Sequence, residues 1–132
     1  MDSIGLIELN SIAVGFYAAD AMVKAASVKI IEALPICPGK FMVLVGGEVA
    51  DITNAVEVGV EVAGDTIVDS FIIPRVHPQV FGAINAVSQV PAIQALGIVE
   101  TFTIASGIIA ADAAVKAAAI DLVEIRLSRG QG

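Results

Sequence analysis

A long internal repeat constrains the fold more than any other feature of this sequence. Residues 4–33 return 92 positions later as residues 96–125, and 14 of the 30 aligned positions are identical without a gap. Solenoid proteins repeat units of about 20–50 residues, so this offset indicates a duplicated domain instead. We therefore expect two related units in one chain rather than a single domain.

The two units differ in length. The first unit spans residues 1–87, and the second unit comprises residues 94–132, so it repeats only the βαβ half of the first. Such a half would leave an unpaired strand edge and an uncovered apolar face. Two explanations are open: the chain is a truncated tandem protein, which we favour, or a partner chain supplies the missing strands.

Composition excludes several classes of function. The chain has 132 residues, 57% hydrophobic and 5% aromatic with no Trp, and its formal net charge is −7. Negative charge without a basic cluster argues against nucleic-acid binding, and so do the few aromatic rings. Charged or turn-forming residues interrupt every apolar window of about 20 residues, so no membrane-spanning helix is expected. The single cysteine cannot form an intramolecular disulfide, which fits a reducing compartment.

Strand-like and helix-like segments alternate and predict an α/β fold. In the first unit we expect strands over 4–9, 28–34, 41–45 and 66–73, and helices over 12–26, 48–63 and 79–86. In the second unit we expect a strand over 96–103, a helix over 104–118 and a strand over 119–127. The order predicts a compact βαβ–βαβ sandwich, a ferredoxin-like variant, duplicated in tandem with the second unit incomplete.

Four motifs of the first unit carry a resemblance to a known family. They are GLIE at 5–8, AADAMVKAA at 18–26, VGGEVADI at 45–52 and IIPRVHP at 72–78. With them, the chain resembles bacterial microcompartment shell proteins. Two fused units resemble the tandem-domain class, which assembles as homotrimers with pseudo-sixfold symmetry and tiles with other shell proteins. The resemblance implies a structural tile, not an enzyme, in a microcompartment shell within the cytoplasm.

The ICPGKF segment is similar to that of the propanediol-utilisation type of tandem shell protein. The resemblance implies a central pore lined by Ile36, Cys37, Pro38, Gly39 and Lys40. It also implies that three chains share one [4Fe–4S] cluster through Cys37 at the threefold axis, for electron transfer or redox sensing. An encapsulated or cytosolic redox partner would follow.

The residues alone leave the role of Cys37 open. Iron–sulfur clusters are normally held by four thiolates, and one chain offers one. A lone cysteine is more often a buried structural thiol. The alternative functions are therefore a cofactor-free structural tile or a metabolite-conducting pore.

The resemblance also implies residues at the edge of the tile, where neighbouring tiles meet. These are Lys24, its counterpart Lys116 in the second unit, and Arg75 in the PRVHP motif. From spacing alone, Lys24 forms a solvated i,i+4 pair with Asp20. The only histidine, His77, has no catalytic neighbour in the sequence and is expected to cap a helix or lie on the surface. No constellation predicts a catalytic site.

Overall fold

In the computed structural model, the described residues are 2–90 and 92–129. The chain order is β1 (Ser3–Leu9), α1 (Ile12–Ala25), β2 (Lys29–Ile36), β3 (Lys40–Gly47), α2 (Val49–Ala63), β4 (Ile67–Ile73), α3 (Pro78–Ile84) and α4 (Ile104–Ala117). A single 3₁₀ turn, Gly64–Thr66, joins α2 to β4. These elements confirm the predicted α/β fold of the first unit.

The four strands form one antiparallel sheet in the order β2-β3-β1-β4. The central strand β1 is buried along its whole length, because it pairs with β3 on one side and β4 on the other. Its alternating side chains point to opposite faces, so Ile4 and Leu6 lie on one face and Ile7 and Leu9 on the other. Helices can therefore pack on both faces of the sheet.

Helices α1 and α2 cover the face that carries Ile7. Ser11 begins α1, where its hydroxyl accepts the N–H of Val14. Close approach of α1 to the sheet requires glycine at position 15, because a Cβ there would lie 2.5 Å from the ring of Phe41. The buried side chains on this face are apolar, as in an ordinary layer of helices packed on a sheet.

Helices α3 and α4 cover the opposite face, so the second unit contributes to the core of the first. Ile108 of α4 is fully buried in one apolar cluster with Leu6 and Leu44 of the sheet. The irregular segment after α4 crosses the same face and buries Leu127 there. His77 begins α3 by accepting the N–H of Gln79 with Nδ1, which confirms its predicted role as a cap.

The two strands predicted for the second unit do not form. Residues 96–103 and 119–127 are irregular, and only the helix between them is regular. Strand β1 exists because it pairs with β3 and β4, and the sequence repeats neither of those two strands. A segment with strand-forming residues but no hydrogen-bonding partner stays irregular. Instead of an independent βαβ half, the second unit lies against the sheet of the first.

None of the described helices is both long enough and apolar enough to span a membrane.

Candidate functional site

The predicted pore loop is the turn between β2 and β3. Strand β2 continues through Pro35 to Ile36, beyond its predicted end, and β3 begins at Lys40. Only three residues, Cys37 to Gly39, form the turn itself. Gly39 has φ +62° and no atom near its missing Cβ, so glycine is favoured here by the backbone conformation and not by lack of space. Cys37 is half-buried with a free thiol, and Pro38 and Gly39 are exposed.

Lys40 is directed away from the tip of this turn. Its Nζ lies 2.5 Å from Oε1 of Glu8, and its side chain is only 13% exposed. Glu8 is fully buried on β1, and its Oε2 accepts the backbone N–H of Ala105 near the start of α4 at 3.2 Å. The carboxylate thus joins the turn, the central strand and the second unit. A single Glu within an apolar strand was the sequence signal for such a buried, paired charge.

The end of β2 lies beside the corresponding residues of the second unit. Applying the 92-residue offset, Ser128 and Arg129 correspond to Ile36 and Cys37. The N–H of Cys37 donates to the backbone oxygen of Ser128 at 3.1 Å. The guanidinium of Arg129 contacts Oε1 of Glu32 on β2, also at 3.1 Å.

Within residues 2–90 and 92–129, no group of three His, Cys, Asp or Glu side chains is arranged to hold a metal ion. Cys37 is therefore the single thiol donor that one chain offers at the turn.

The predicted edge residues are exposed and lie apart along the chain. Lys24, in the last turn of α1, pairs with Asp20 at 2.6 Å, and both side chains are solvated as predicted. Lys116, in the last turn of α4, pairs with Asp112 at the same distance. Arg75 follows β4 with φ +50°, and its side chain is exposed.

The sequence did not reveal how firmly α4 would be held. Asp112 is buried and accepts the backbone N–H of His77 with Oδ1 at 2.8 Å, whereas its counterpart in the first unit is solvated. Thr103, which caps α4, donates its hydroxyl to Oδ2 of Asp69 on β4 at 2.6 Å. Together with Glu8, these contacts and the apolar cluster around Ile108 define what we call the α4 seat.

Comparison with known proteins places this architecture in a family. The BMC domain family matches residues 3–76 and 95–132, so both units are recognised and most of the chain is covered. The chain belongs to the BMC domain family. Bacterial microcompartment shell protein PduT of Citrobacter freundii is 45% identical over 130 residues, which cover 98% of this chain and 71% of that protein.

Two further relatives agree with this assignment. The crystal structure of a microcompartment protein from Desulfitobacterium hafniense superposes with a TM-score of 0.87 at 54% identity. The match covers 99% of this chain and 73% of that one. Carboxysome shell protein CsoS1C of Halothiobacillus neapolitanus is 37% identical over 81 residues, 59% of this chain and 83% of that protein.

Membership of the BMC domain family confirms three predictions at once. The chain is a bacterial microcompartment shell protein, its fold is the α/β fold of that family, and it is a structural protein rather than an enzyme. Its location is the microcompartment shell.

Proposed function

We infer that this shell protein assembles as a homotrimer around an axis at the β2–β3 turn. The observation that supports this inference is the hydrogen bond from the N–H of Cys37 to the backbone oxygen of Ser128, the residue of the second unit that corresponds to Ile36. Two units per chain, related by a rotation about one axis, would give six units in a trimer. This arrangement has threefold symmetry and approximates sixfold symmetry, and heterologous contacts of this kind close into rings.

At such an axis, three copies of Cys37 would hold one [4Fe–4S] cluster. Each chain supplies one thiol on a half-buried turn residue, and three chains supply three of the four thiolates that such clusters normally have. Gly39 permits the tight turn on which Cys37 lies, and the ammonium of Lys40 is paired with the carboxylate of Glu8. When bound, the cluster supplies one-electron redox chemistry, and the tile would transfer electrons across the shell or sense redox state. An enclosed or cytosolic redox protein would be its partner.

Around the tile, the expected neighbours are other microcompartment shell proteins. The exposed ammonium of Lys24, its counterpart Lys116 and the exposed Arg75 are the proposed edge residues. Long cationic side chains that lie free of the core are available for hydrogen bonds to the backbone of an adjacent tile. A cofactor-free tile or a metabolite-conducting pore is the second candidate function, because the turn exposes Pro38 and Gly39.

The test is an EPR spectrum, before and after dithionite, of anaerobically reconstituted protein whose oligomeric state has been measured. We expect a reduced-cluster signal at about one cluster per three chains. Cys37→Ser should abolish the signal and the bound iron while the oligomer persists. Trimers without iron would refute the cluster and favour the second candidate, and collapse of the Cys37→Ser trimer would make the thiol structural.

A further inference from the structure

A guanidinium from the second unit lies beside the strand that leads to Cys37. The N–H of Cys37 donates to the backbone oxygen of Ser128, so the next residue, Arg129, lies near the end of β2. Nη2 of Arg129 contacts Oε1 of Glu32 on β2 at 3.1 Å. Glu32 precedes Cys37 by five residues, and an extended chain rises about 3.3 Å per residue. This pair of opposite charges therefore lies roughly 15 Å from the thiol.

The other cation near the turn is held in the interior. The ammonium of Lys40 is paired with Glu8, and these side chains are 13% and 0% exposed. The side chains of Arg129 and Glu32 are 52% and 23% exposed. Removing one partner of a buried ion pair is costly, whereas an exposed pair contributes little to stability. Arg129 and Glu32 are therefore the charges near Cys37 that can change with little effect on the fold.

The contact between the two units at the turn does not depend on these two side chains. It is a hydrogen bond between backbone atoms, from the N–H of Cys37 to the oxygen of Ser128. A side-chain substitution at position 32 or 129 therefore leaves this bond in place. In the proposed trimer, three copies of Arg129 and three of Glu32 would surround the axis near which the three thiols lie.

The potential of an iron–sulfur cluster depends on the charge that surrounds it. Reduction transfers one electron from an external donor to the cluster, and the donor is oxidised. The negative charge at the axis then increases by one unit. A nearby cation stabilises this reduced state and raises the potential, whereas a nearby anion lowers it. A guanidinium and a carboxylate at similar distances therefore act in opposite directions.

We propose that Arg129 and Glu32 together set the reduction potential of a [4Fe–4S] cluster held by Cys37, Arg129 by raising it and Glu32 by lowering it. Neither side chain is a ligand, and both act through their charge. The inference rests on the proposed cluster and adds the residues that regulate it. The second unit thereby acts on the redox site, although the only cysteine of the chain lies in the first unit.

The expected size of the effect follows from Coulomb's law. At an ionic strength of about 0.01 M the screening length is about 30 Å. Three unit charges at roughly 15 Å, with an effective dielectric constant of about 40, change the equilibrium constant for reduction about threefold to fivefold. A tenfold change corresponds to about 59 mV for a one-electron couple, so threefold corresponds to about 30 mV.

The experiment is a stepwise reduction of reconstituted trimers with dithionite, followed by EPR, at about 0.01 M and about 1 M salt. At low salt, Arg129→Gln should lower the potential by about 30 mV or more, and Glu32→Gln should raise it by a similar amount. The double variant and the charge-conserving Arg129→Lys should remain close to the wild type. At about 1 M salt the screening length is about 3 Å, so the shifts should disappear. A merely structural role of the pair predicts neither opposite signs nor this dependence on salt.

Lys24→Gln provides the control for charge changes in general. Lys24 and Asp20 also form an exposed pair, at 2.6 Å, in the last turns of α1. Helix α1 ends shortly before β2 begins, and the eight residues of β2 separate that point from the turn. This pair is therefore more than about 20 Å from Cys37 along the strand, and Lys24→Gln should shift the potential by less than half as much.

Three results would overturn the proposal while leaving the proposed cluster intact. The first is an equal potential in the wild type, Arg129→Gln and Glu32→Gln, and the second is a shift of the same sign in both variants. The third is a shift that persists at about 1 M salt. Loss of trimers in Arg129→Gln would make the pair structural and would also refute its redox role. Wild-type trimers without iron would refute the cluster itself and this inference with it.

Discussion

Replacing Glu8 by glutamine removes one charge from the interior of the sheet and leaves the side-chain shape nearly unchanged. Its partner Lys40 then carries an uncompensated ammonium that is only 13% exposed. Breaking a buried ion pair by removing one partner costs about 3–5 kcal/mol. The residual exposure of Lys40 favours the lower end, about 3 kcal/mol, or roughly 10 °C in melting temperature for a chain of this length.

A matched control lies on α1. The Asp20–Lys24 pair has nearly the same separation, 2.6 Å against 2.5 Å for Glu8–Lys40, but Asp20 is 50% exposed. Asp20→Asn should therefore cost about 0.5 kcal/mol or less, because solvent screens exposed pairs. Comparing the two carboxylate-to-amide changes isolates the effect of burial.

The assay is urea denaturation followed by circular dichroism, with all variants at one low chain concentration. Removing both charges, in Glu8→Gln with Lys40→Met, should recover at least about 2 kcal/mol of the loss, because no unpaired charge remains. Equal losses for Glu8→Gln and Asp20→Asn, or strict additivity in the double variant, would refute the reasoning.

Three further predictions concern the α4 seat, the β2–β3 turn and the proposed edge residues. Ile108→Ala should lower the free energy of unfolding by about 2–5 kcal/mol, and Ile109→Ala, at a more exposed position, by less than about 1 kcal/mol. Equal losses in denaturant titrations would contradict the packing of α4 in its seat. Gly39→Ala should cost about 1–2 kcal/mol for its left-handed backbone, since its surroundings are open, and an unchanged melting curve would contradict that conformation. Lys24→Ala should weaken two-dimensional sheets of tiles seen by electron microscopy while the isolated oligomer persists, and unchanged sheets would remove Lys24 from the edge.

Local patterning made most of the first unit predictable from sequence. Apolar runs bounded by glycine or proline predicted the strands, and the predicted start of α1 at residue 12 is confirmed. The errors there were at boundaries: the second strand was expected over 28–34, but β2 continues through Pro35 to Ile36. Proline is tolerated because β2 is an edge strand of the sheet.

The second unit shows what a local sequence pattern does not predict. Residues 4–8 and 96–100 have nearly the same pattern, yet only the first segment is a strand. The difference is not in the segments themselves but in their partners, since strand formation depends on hydrogen bonds to β3 and β4 that are distant in sequence. Sequence patterning therefore identified the helix of this unit, whose hydrogen bonds are local, and misassigned its strands.

The candidate site was only partly predictable for the same reason. The position of Cys37 on a tight turn follows from neighbouring residues, and the family resemblance indicated the loop. The inward direction of Lys40 depends on a carboxylate 32 positions earlier, and the burial of Asp112 depends on a backbone N–H 35 positions away. No local pattern encodes such pairs.

The contact between Cys37 and Ser128 has a consequence for how such a turn can change during evolution. In a ring of identical one-unit chains, one codon determines every turn, so any change appears at all positions together. Here the position equivalent to Cys37 is Arg129, a residue encoded separately. Duplication has thereby uncoupled the two positions, and in the proposed trimer a thiol would alternate with a guanidinium around the axis. Each of the two chemistries can then be selected without loss of the other.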